Sequence, residues 1–152
     1  KWFICIRSSL NEHMGTFRSS TVIETKGEGD MVDVTALVEK AVTDSGLMQG
    51  AALVFVPHST AAIVMLENEP GLRDDIASAL ERNFPKELKY QHHLRWGDGN
   101  GHSHVRSTFL GASVTLPFDQ GRLERGQWQQ VALLELDVRG RQRDLIVQVL
   151  GE

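Results

Sequence analysis

The spacing of apolar residues along the chain predicts two amphipathic helices. In the first, apolar residues recur at intervals of three and four, and Gly46 suits the left-handed end of a helix. The second is predicted to begin at Pro70, which fits a first helical position, and to stop before Pro85. The apolar stripes are Val34, Leu37, Val38, Ala41 and Val42 in the first helix, and Leu72, Ile76, Ala79 and Leu80 in the second.

Apolar or β-branched runs elsewhere predict strands. These runs cover residues 2–7, 16–24, 51–56, 61–66, 113–118 and 145–150. Alternation from Trp128 to Val138 predicts a half-buried strand whose more polar face carries Glu135. We therefore predict one α+β domain over residues 1–152, with a mostly antiparallel or mixed sheet, sandwich- or barrel-like, and two main helices.

The segment from Lys86 to Gly101 shows neither the apolar spacing of a helix nor the apolar run of a strand. It is polar and has glycine at positions 97, 99 and 101, which predicts a long loop. Loops of this length in a compact domain are commonly functional, so this segment is a candidate site.

Composition narrows the class of protein. The chain has 152 residues, of which 41% are hydrophobic and 24% charged, as in an ordinary globular domain. Its 16 basic residues against 20 acidic ones provide no broad basic surface for a nucleic acid. The single cysteine, Cys5, allows no internal disulfide, and the apolar runs are too short to cross a membrane. We expect a cytoplasmic protein with neither a nucleic-acid nor a membrane partner.

Histidines cluster near the predicted loop. Four of the six lie between positions 92 and 104, and His102 and His104 form an H-x-H pair. On an extended backbone the two imidazoles of such a pair point to the same face. Together with His58, after a buried strand, they suggest a zinc-like site with His58, His92 and His104 as ligands and His102 in reserve. The alternative is that these histidines make ordinary hydrogen bonds.

Several carboxylates lie near these histidines in sequence. Glu67 ends a predicted strand, and Asp75 lies beside the apolar stripe of the second helix, where it can face a cleft. Asp98, close to His92, suits a general base or a partner that orients a metal ligand. A plain turn aspartate is the alternative for Asp98.

Hydroxyl and arginine side chains follow the glycines. Ser103, Arg106 and Ser107 offer donors to a phosphate, although the glycine spacing matches neither a P-loop nor a dinucleotide fingerprint. Arg139, Arg141 and Arg143 alternate and therefore share a face, as a solvated charge row or as an anion site.

Four ordered motifs carry a resemblance to a known family. They are FVPHSTAA at 55–62, ENEPGL at 67–72, WGDGNGHSH at 96–104 and GQWQ at 126–129. Together they resemble the YjbQ-like family, an uncharacterised protein family of which some members are named secondary thiamine-phosphate synthases. The resemblance implies an α+β domain that assembles as a homotrimer, a histidine-rich site that can hold a metal, and an activity joining a pyrimidine pyrophosphate to a thiazole phosphate.

The resemblance also marks individual positions, and these complete the expected site. The marked positions are His58, Glu67, Asn68, Asp75, His92, His104, Ser107, Glu135 and Arg143. We expect catalytic roles for Glu67, Asp75, Asp98 and Glu135. We expect substrate or phosphate contacts from Ser59, Thr60, Asn68, Asn100, Ser103, Arg106, Ser107 and Arg143.

The cofactor and the reaction have alternatives. We expect a divalent metal, either zinc at the histidines or magnesium with a diphosphate substrate. The alternatives to the synthase are a metal-dependent hydrolase of a small phosphorylated molecule and a non-enzymatic trimeric protein that binds a metal or ligand.

Overall fold

Two antiparallel sheets organise residues 14–152, the part of the chain that the computed structural model describes. The predicted strand at residues 2–7, with Cys5, lies outside the described residues. The strands are β1 (Gly15–Glu24), β2 (Met31–Asp33), β3 (Gln49–Phe55), β4 (Ala61–Leu66), β5 (Ser113–Asp119), β6 (Arg122–Leu123), β7 (Gln130–Glu135) and β8 (Gln142–Gly151). The helices are α1 (Thr35–Ser45), α2 (Pro70–Asn83), α3 (Gln91–Trp96) and α4 (Gly101–Leu110).

The larger sheet has the strand order β1-β8-β3-β5-β6, and the smaller has the order β2-β7-β4. Every pairing in the two sheets is antiparallel, and β1 pairs with β8 over its whole length, from Gly15 opposite Gly151 to Glu24 opposite Gln142. The predicted α+β domain with antiparallel sheets is confirmed. None of the helices within residues 14–152 is long and apolar enough to cross a membrane.

Strand β7 is buried on both faces, so the predicted half-buried strand is wrong. Leu133 packs in the core between the two sheets and α1, whereas Leu134 packs in a second core beneath α2. Glu135, predicted for a more polar face, is fully buried instead. Side chains of both cores pack against this one strand because α2 covers the face of the small sheet that would otherwise be exposed to water.

Local signals place the helices α1 and α2 where the sequence predicts them. Val38 and Val42 are fully buried, and Gly46 ends α1 in the left-handed conformation at φ 67°. Helix α2 begins at Pro70, and the Glu69 carboxylate accepts a hydrogen bond from the backbone N–H of Gly71 at 2.7 Å.

The predicted loop is wrong in part, because α3 lies within it and α4 begins at its last residue, Gly101. Gly97 ends α3 in the left-handed conformation, and His93 Nε2 accepts a hydrogen bond from the backbone N–H of Gly101 at 2.9 Å, which secures the start of α4. The Ser107 hydroxyl donates to the carbonyl of Ala61 at 2.8 Å and fixes α4 on β4. These tertiary contacts stabilise a helix that apolar spacing does not reveal.

Helix α4 also changes the geometry of the H-x-H pair. Two positions along an α-helix are about 200° apart around its axis, so His102 and His104 point in different directions. His102 is buried, with Nε2 3.7 Å from a carboxylate oxygen of Glu28, whereas His104 is half-buried and faces a pocket. The prediction that both imidazoles share one face is wrong.

Candidate functional site

A pocket of about 310 Å³ opens where three segments meet. The turn between β3 and β4, the start of α4 and the connection from β7 to β8 form its walls. Six predicted site residues line it: His58, Ser59, Thr60, Asn100, His104 and Arg143. Asp137, Arg141 and Gln142 complete the lining.

A buried ion pair forms the floor of the pocket. Arg143 Nε donates to Glu135 Oε2 at 2.8 Å, and Arg143 Nη2 donates to Glu135 Oε1 at 2.5 Å and to the Thr60 hydroxyl at 2.9 Å. Both side chains are almost completely removed from solvent. Glu135, a predicted catalytic carboxylate, does not line the pocket and touches Arg143 from below.

Hydrogen bonds keep Glu135 ionised. Burial alone raises the pKa of the Glu135 carboxyl, but the donors from Arg143, Thr25 and the backbone of Asp137 outweigh it, so the pKa falls below its ordinary value. The carboxylate accepts from the backbone N–H of Asp137 at 2.8 Å and from that of Leu136 at 3.0 Å. Arg143 therefore meets a charged partner at neutral pH.

A second ion pair lies at the wall of the pocket. Arg141 Nε donates to Asp137 Oδ2 at 2.9 Å, and the Thr60 hydroxyl donates to the same oxygen at 3.2 Å. Burial raises the pKa of Asp137, but the hydrogen bonds, led by that from Arg141, lower it overall. The Arg141 side chain is 34% exposed, so of the two pocket arginines it is the more accessible to a ligand.

Two imidazoles meet beside this wall. The ring centroids of His92 and His104 are 4.3 Å apart, and His92 Nε2 lies 3.6 Å from Asp98 Oδ2. In the orientation that satisfies its neighbours, the Asn100 amide donates to both Asp98 oxygens at 2.9 and 3.2 Å. Burial, assisted by the neighbouring His92, lowers the pKa of His104, which is therefore a neutral imidazole at neutral pH.

A backbone hydrogen bond from β8 orients the imidazole of His58. Its Nε2 accepts a hydrogen bond from the backbone N–H of Asp144 at 3.1 Å. The neutral ring then carries its proton on Nδ1, which makes that atom the donor.

Within the described part of the chain, no group of three or more His, Cys, Asp or Glu side chains is placed to hold a metal ion. In addition, Nε2 of His58 already accepts a backbone hydrogen bond. Zinc or magnesium stays a prediction, which metal analysis of the dialysed protein tests.

Three predicted phosphate ligands on α4 face other parts of the fold. Arg106 forms ion pairs with Glu28 at 2.5 Å and Glu81 at 2.7 Å, both away from the pocket. Ser107 bonds to Ala61, and the Ser103 hydroxyl is fully buried, 3.4 Å from His102 Nε2.

The predicted residues around the start of α2 do not line the pocket either. Asn68 Oδ1 accepts from Arg73 Nε at 2.7 Å, whereas Glu67 and Asp75 are exposed. Within one protomer, the structure does not bring these three residues to the lining.

The substitution Glu135→Gln is expected to destabilise the protein by about 3–5 kcal/mol, because it leaves the Arg143 charge buried without its partner. Urea unfolding at pH 7 measures the loss, and Glu124→Gln on the exposed surface is the matched control. Because the folded-state pKa of Glu135 is lowered, its contribution is complete above the ordinary value of 4.5 and is lost as pH falls through the folded-state pKa. The native protein should therefore lose more stability than Glu135→Gln on acidification, and equal acid sensitivity would contradict this assignment.

Known proteins match this chain over most of its length. The family model described as "UPF0047 protein YjbQ-like" matches residues 19–152. A UPF0047 protein of Methanothermobacter thermautotrophicus is 35% identical over 139 residues, which cover 91% of this chain and 95% of that protein. UPF0047 protein YugU of Bacillus subtilis is 32% identical over 130 residues, covering 85% and 96% of the two chains.

Solved structures agree with these relatives. A YbjQ-like protein of unknown function from Sulfolobus solfataricus superposes with a TM-score of 0.86 and 39% identity, covering 92% of this chain and all of that one. A YjbQ/UPF0047 family protein from Clostridium acetobutylicum gives a TM-score of 0.78 and 33% identity, covering 86% and 98%. The four motifs, the paired antiparallel sheets and these matches lead to one assignment: the chain belongs to the YjbQ-like UPF0047 family.

Proposed function

We propose that the pocket binds the phosphoryl or diphosphate group of a small molecule and that the protein is an enzyme acting on this molecule. The arrangement of Arg141 and Arg143 beside hydroxyl and imidazole groups carries the proposal. Guanidinium groups bind phosphate oxygens through paired, charge-assisted hydrogen bonds. A volume of about 310 Å³ lies at the lower end of the range of small-molecule sites.

Each arginine of the pocket is paired with a carboxylate, and Arg141 still has donors available to an anion. Glu135 balances Arg143 from outside the lining, and Asp137 is the one carboxylate among the described lining residues. Arg141 shares Asp137 with the Thr60 hydroxyl and has about a third of its side chain open to solvent. A phosphate oxygen can therefore bind the free side of the Arg141 guanidinium without breaking the floor of the pocket.

The candidate reaction is transfer of a pyrimidine methylene group from its pyrophosphate to the nitrogen of a thiazole phosphate. The methylene C–O bond breaks, pyrophosphate leaves with the electron pair, and the thiazole nitrogen lone pair forms the new C–N bond. Negative charge grows on the departing pyrophosphate, and Arg141, His58 and Ser59 in the lining are the residues that would stabilise it. This reaction comes from the family resemblance, and the arginine, imidazole and hydroxyl groups of the pocket are consistent with it.

Hydrolysis of a phosphorylated molecule is the second candidate. The lowered pKa of His104 favours it, because a neutral imidazole at the wall can accept a proton from water. The charge of Asp98 acts in the opposite direction to burial and His92, and it favours the imidazolium that results.

The substitution Arg141→Gln should weaken binding of pyrophosphate about 10-fold, because a charge-assisted hydrogen bond is lost. Isothermal titration calorimetry at fixed ionic strength measures the affinity. The control is Arg139→Gln, which removes an exposed arginine from the same turn outside the pocket. Equal affinities for the two variants would refute the pocket as the anion site.

Release of pyrophosphate from the pyrimidine pyrophosphate distinguishes the synthase from the hydrolase. The synthase requires the thiazole phosphate for release, whereas a hydrolase releases pyrophosphate without it.

Under either reaction, His104→Gln should slow turnover, with Thr108→Ala on the exposed side of α4 as the control. For the hydrolase, in which His104 is the base, the native rate should fall as pH drops through the His104 pKa, which lies below 6.5. Binding without turnover would support the non-enzymatic alternative.

We propose that the protein assembles as a homotrimer, as the family resemblance implies. Several large apolar side chains on α3, α4 and the segment before β7 are exposed in a single protomer, and burial between copies would remove them from water. They are Leu94, Trp96, Phe109 and Trp128. Light scattering at micromolar concentration should give three times the protomer mass, and a stable monomer would contradict the proposal.

A further inference from the structure

Thr25, the residue just after β1, lies beneath the pocket and is 9% exposed. Its hydroxyl oxygen is 2.6 Å from Glu135 Oε2 and 3.0 Å from the backbone nitrogen of Arg141. We propose that Thr25 is a positioning residue that holds both arginines of the pocket in place. Its effect on a ligand rests on the proposed function, whereas its effect on the arginines does not.

The hydrogen bonds of Thr25 have defined directions. A hydroxyl has one proton, and the short contact with the Glu135 carboxylate uses it. The oxygen then accepts from the backbone N–H of Arg141. The Arg141 carbonyl, 3.1 Å from the hydroxyl, already accepts from the backbone N–H of Thr25 at 2.9 Å.

One of these bonds acts on Arg143 through Glu135. Glu135 Oε2 receives both the Thr25 hydroxyl and Arg143 Nε. Because two donors share this oxygen, Thr25 fixes the rotation of the carboxylate, and the carboxylate in turn fixes the plane of the Arg143 guanidinium.

The other bond acts on Arg141 through the backbone. The Thr25 hydroxyl and backbone N–H together bind both polar backbone groups of Arg141. This anchors the residue from which the Arg141 side chain reaches Asp137 and the pocket.

Close packing around Gly140 restricts the backbone of the connection between β7 and β8. A Cβ atom at Gly140 would collide with the carbonyl oxygen of Thr25 and would press against the backbone of Lys26. The two segments therefore touch backbone to backbone beside the Thr25 hydrogen bonds. Only a glycine permits this approach, and it places Arg141 at a fixed distance from Thr25.

The test compares Thr25→Val, which keeps the shape and removes the hydroxyl, with Thr25→Ser, which restores the hydroxyl. Thr21→Val on the exposed part of β1 is the matched control. We expect Thr25→Val to bind pyrophosphate about 10-fold more weakly than the native chain, since Glu135 loses a donor that orients it toward Arg143 and the Arg141 backbone N–H loses its acceptor. Thr25→Ser and Thr21→Val should bind like the native chain.

A second measurement follows Arg143 without any ligand. The Nε–Hε resonance of Arg143 in an NMR spectrum reports its bond to Glu135, so it should move in Thr25→Val and return in Thr25→Ser. If Thr25→Val does not fold, Thr25→Ala removes the same hydroxyl without placing a methyl group against the carboxylate.

The outcomes separate the two proposals. Loss of affinity together with a shifted Arg143 resonance, both restored by serine, supports positioning. An unchanged Arg143 resonance, or native affinity in a folded Thr25→Val, would overturn it. If the native chain binds no pyrophosphate, the proposed function fails, and the resonance alone decides whether Thr25 holds Arg143.

Discussion

The buried pair of Glu135 and Arg143 is the interaction on which the pocket depends. Removing two charges from water costs several kcal/mol per ion, so such a pair survives only where other polar groups complete its hydrogen bonds. Here Thr25, Thr60 and the backbone after β7 provide those bonds. Three segments distant in sequence thus converge on one carboxylate and one guanidinium, and the pocket forms where they meet.

Part of this arrangement could be predicted from the sequence, because it rests on local signals. Apolar spacing with Gly46 and Pro70 gives α1 and α2, and the apolar run at 61–66 gives β4. The motifs likewise contain five of the residues that line the pocket, namely His58, Ser59, Thr60, Asn100 and His104. The family and its α+β fold follow from those same motifs.

The rest depends on contacts that distant segments make. Helix α4 is polar, and its start and its attachment to β4 rely on His93 and Ser107, which the apolar pattern does not connect. Asp137 and Arg141 lie within a row of charges whose pairing the sequence does not specify. A usable signal was present: acidic residues at 135 and 137 and arginines at 141 and 143 alternate on both sides of one turn, as facing charge pairs do.

The burial of β7 on both faces affects how the amide hydrogens of the domain exchange with solvent. Cores on both sides hold the strand, and its backbone pairs with β2 and β4, so no small local fluctuation exposes it. Amide hydrogens in the interior of β7 should exchange with solvent only when the whole domain unfolds, whereas those at helix ends exchange by fraying. Glu135, which belongs to this strand, therefore sets the floor of the pocket in one of the most slowly exchanging parts of the described fold.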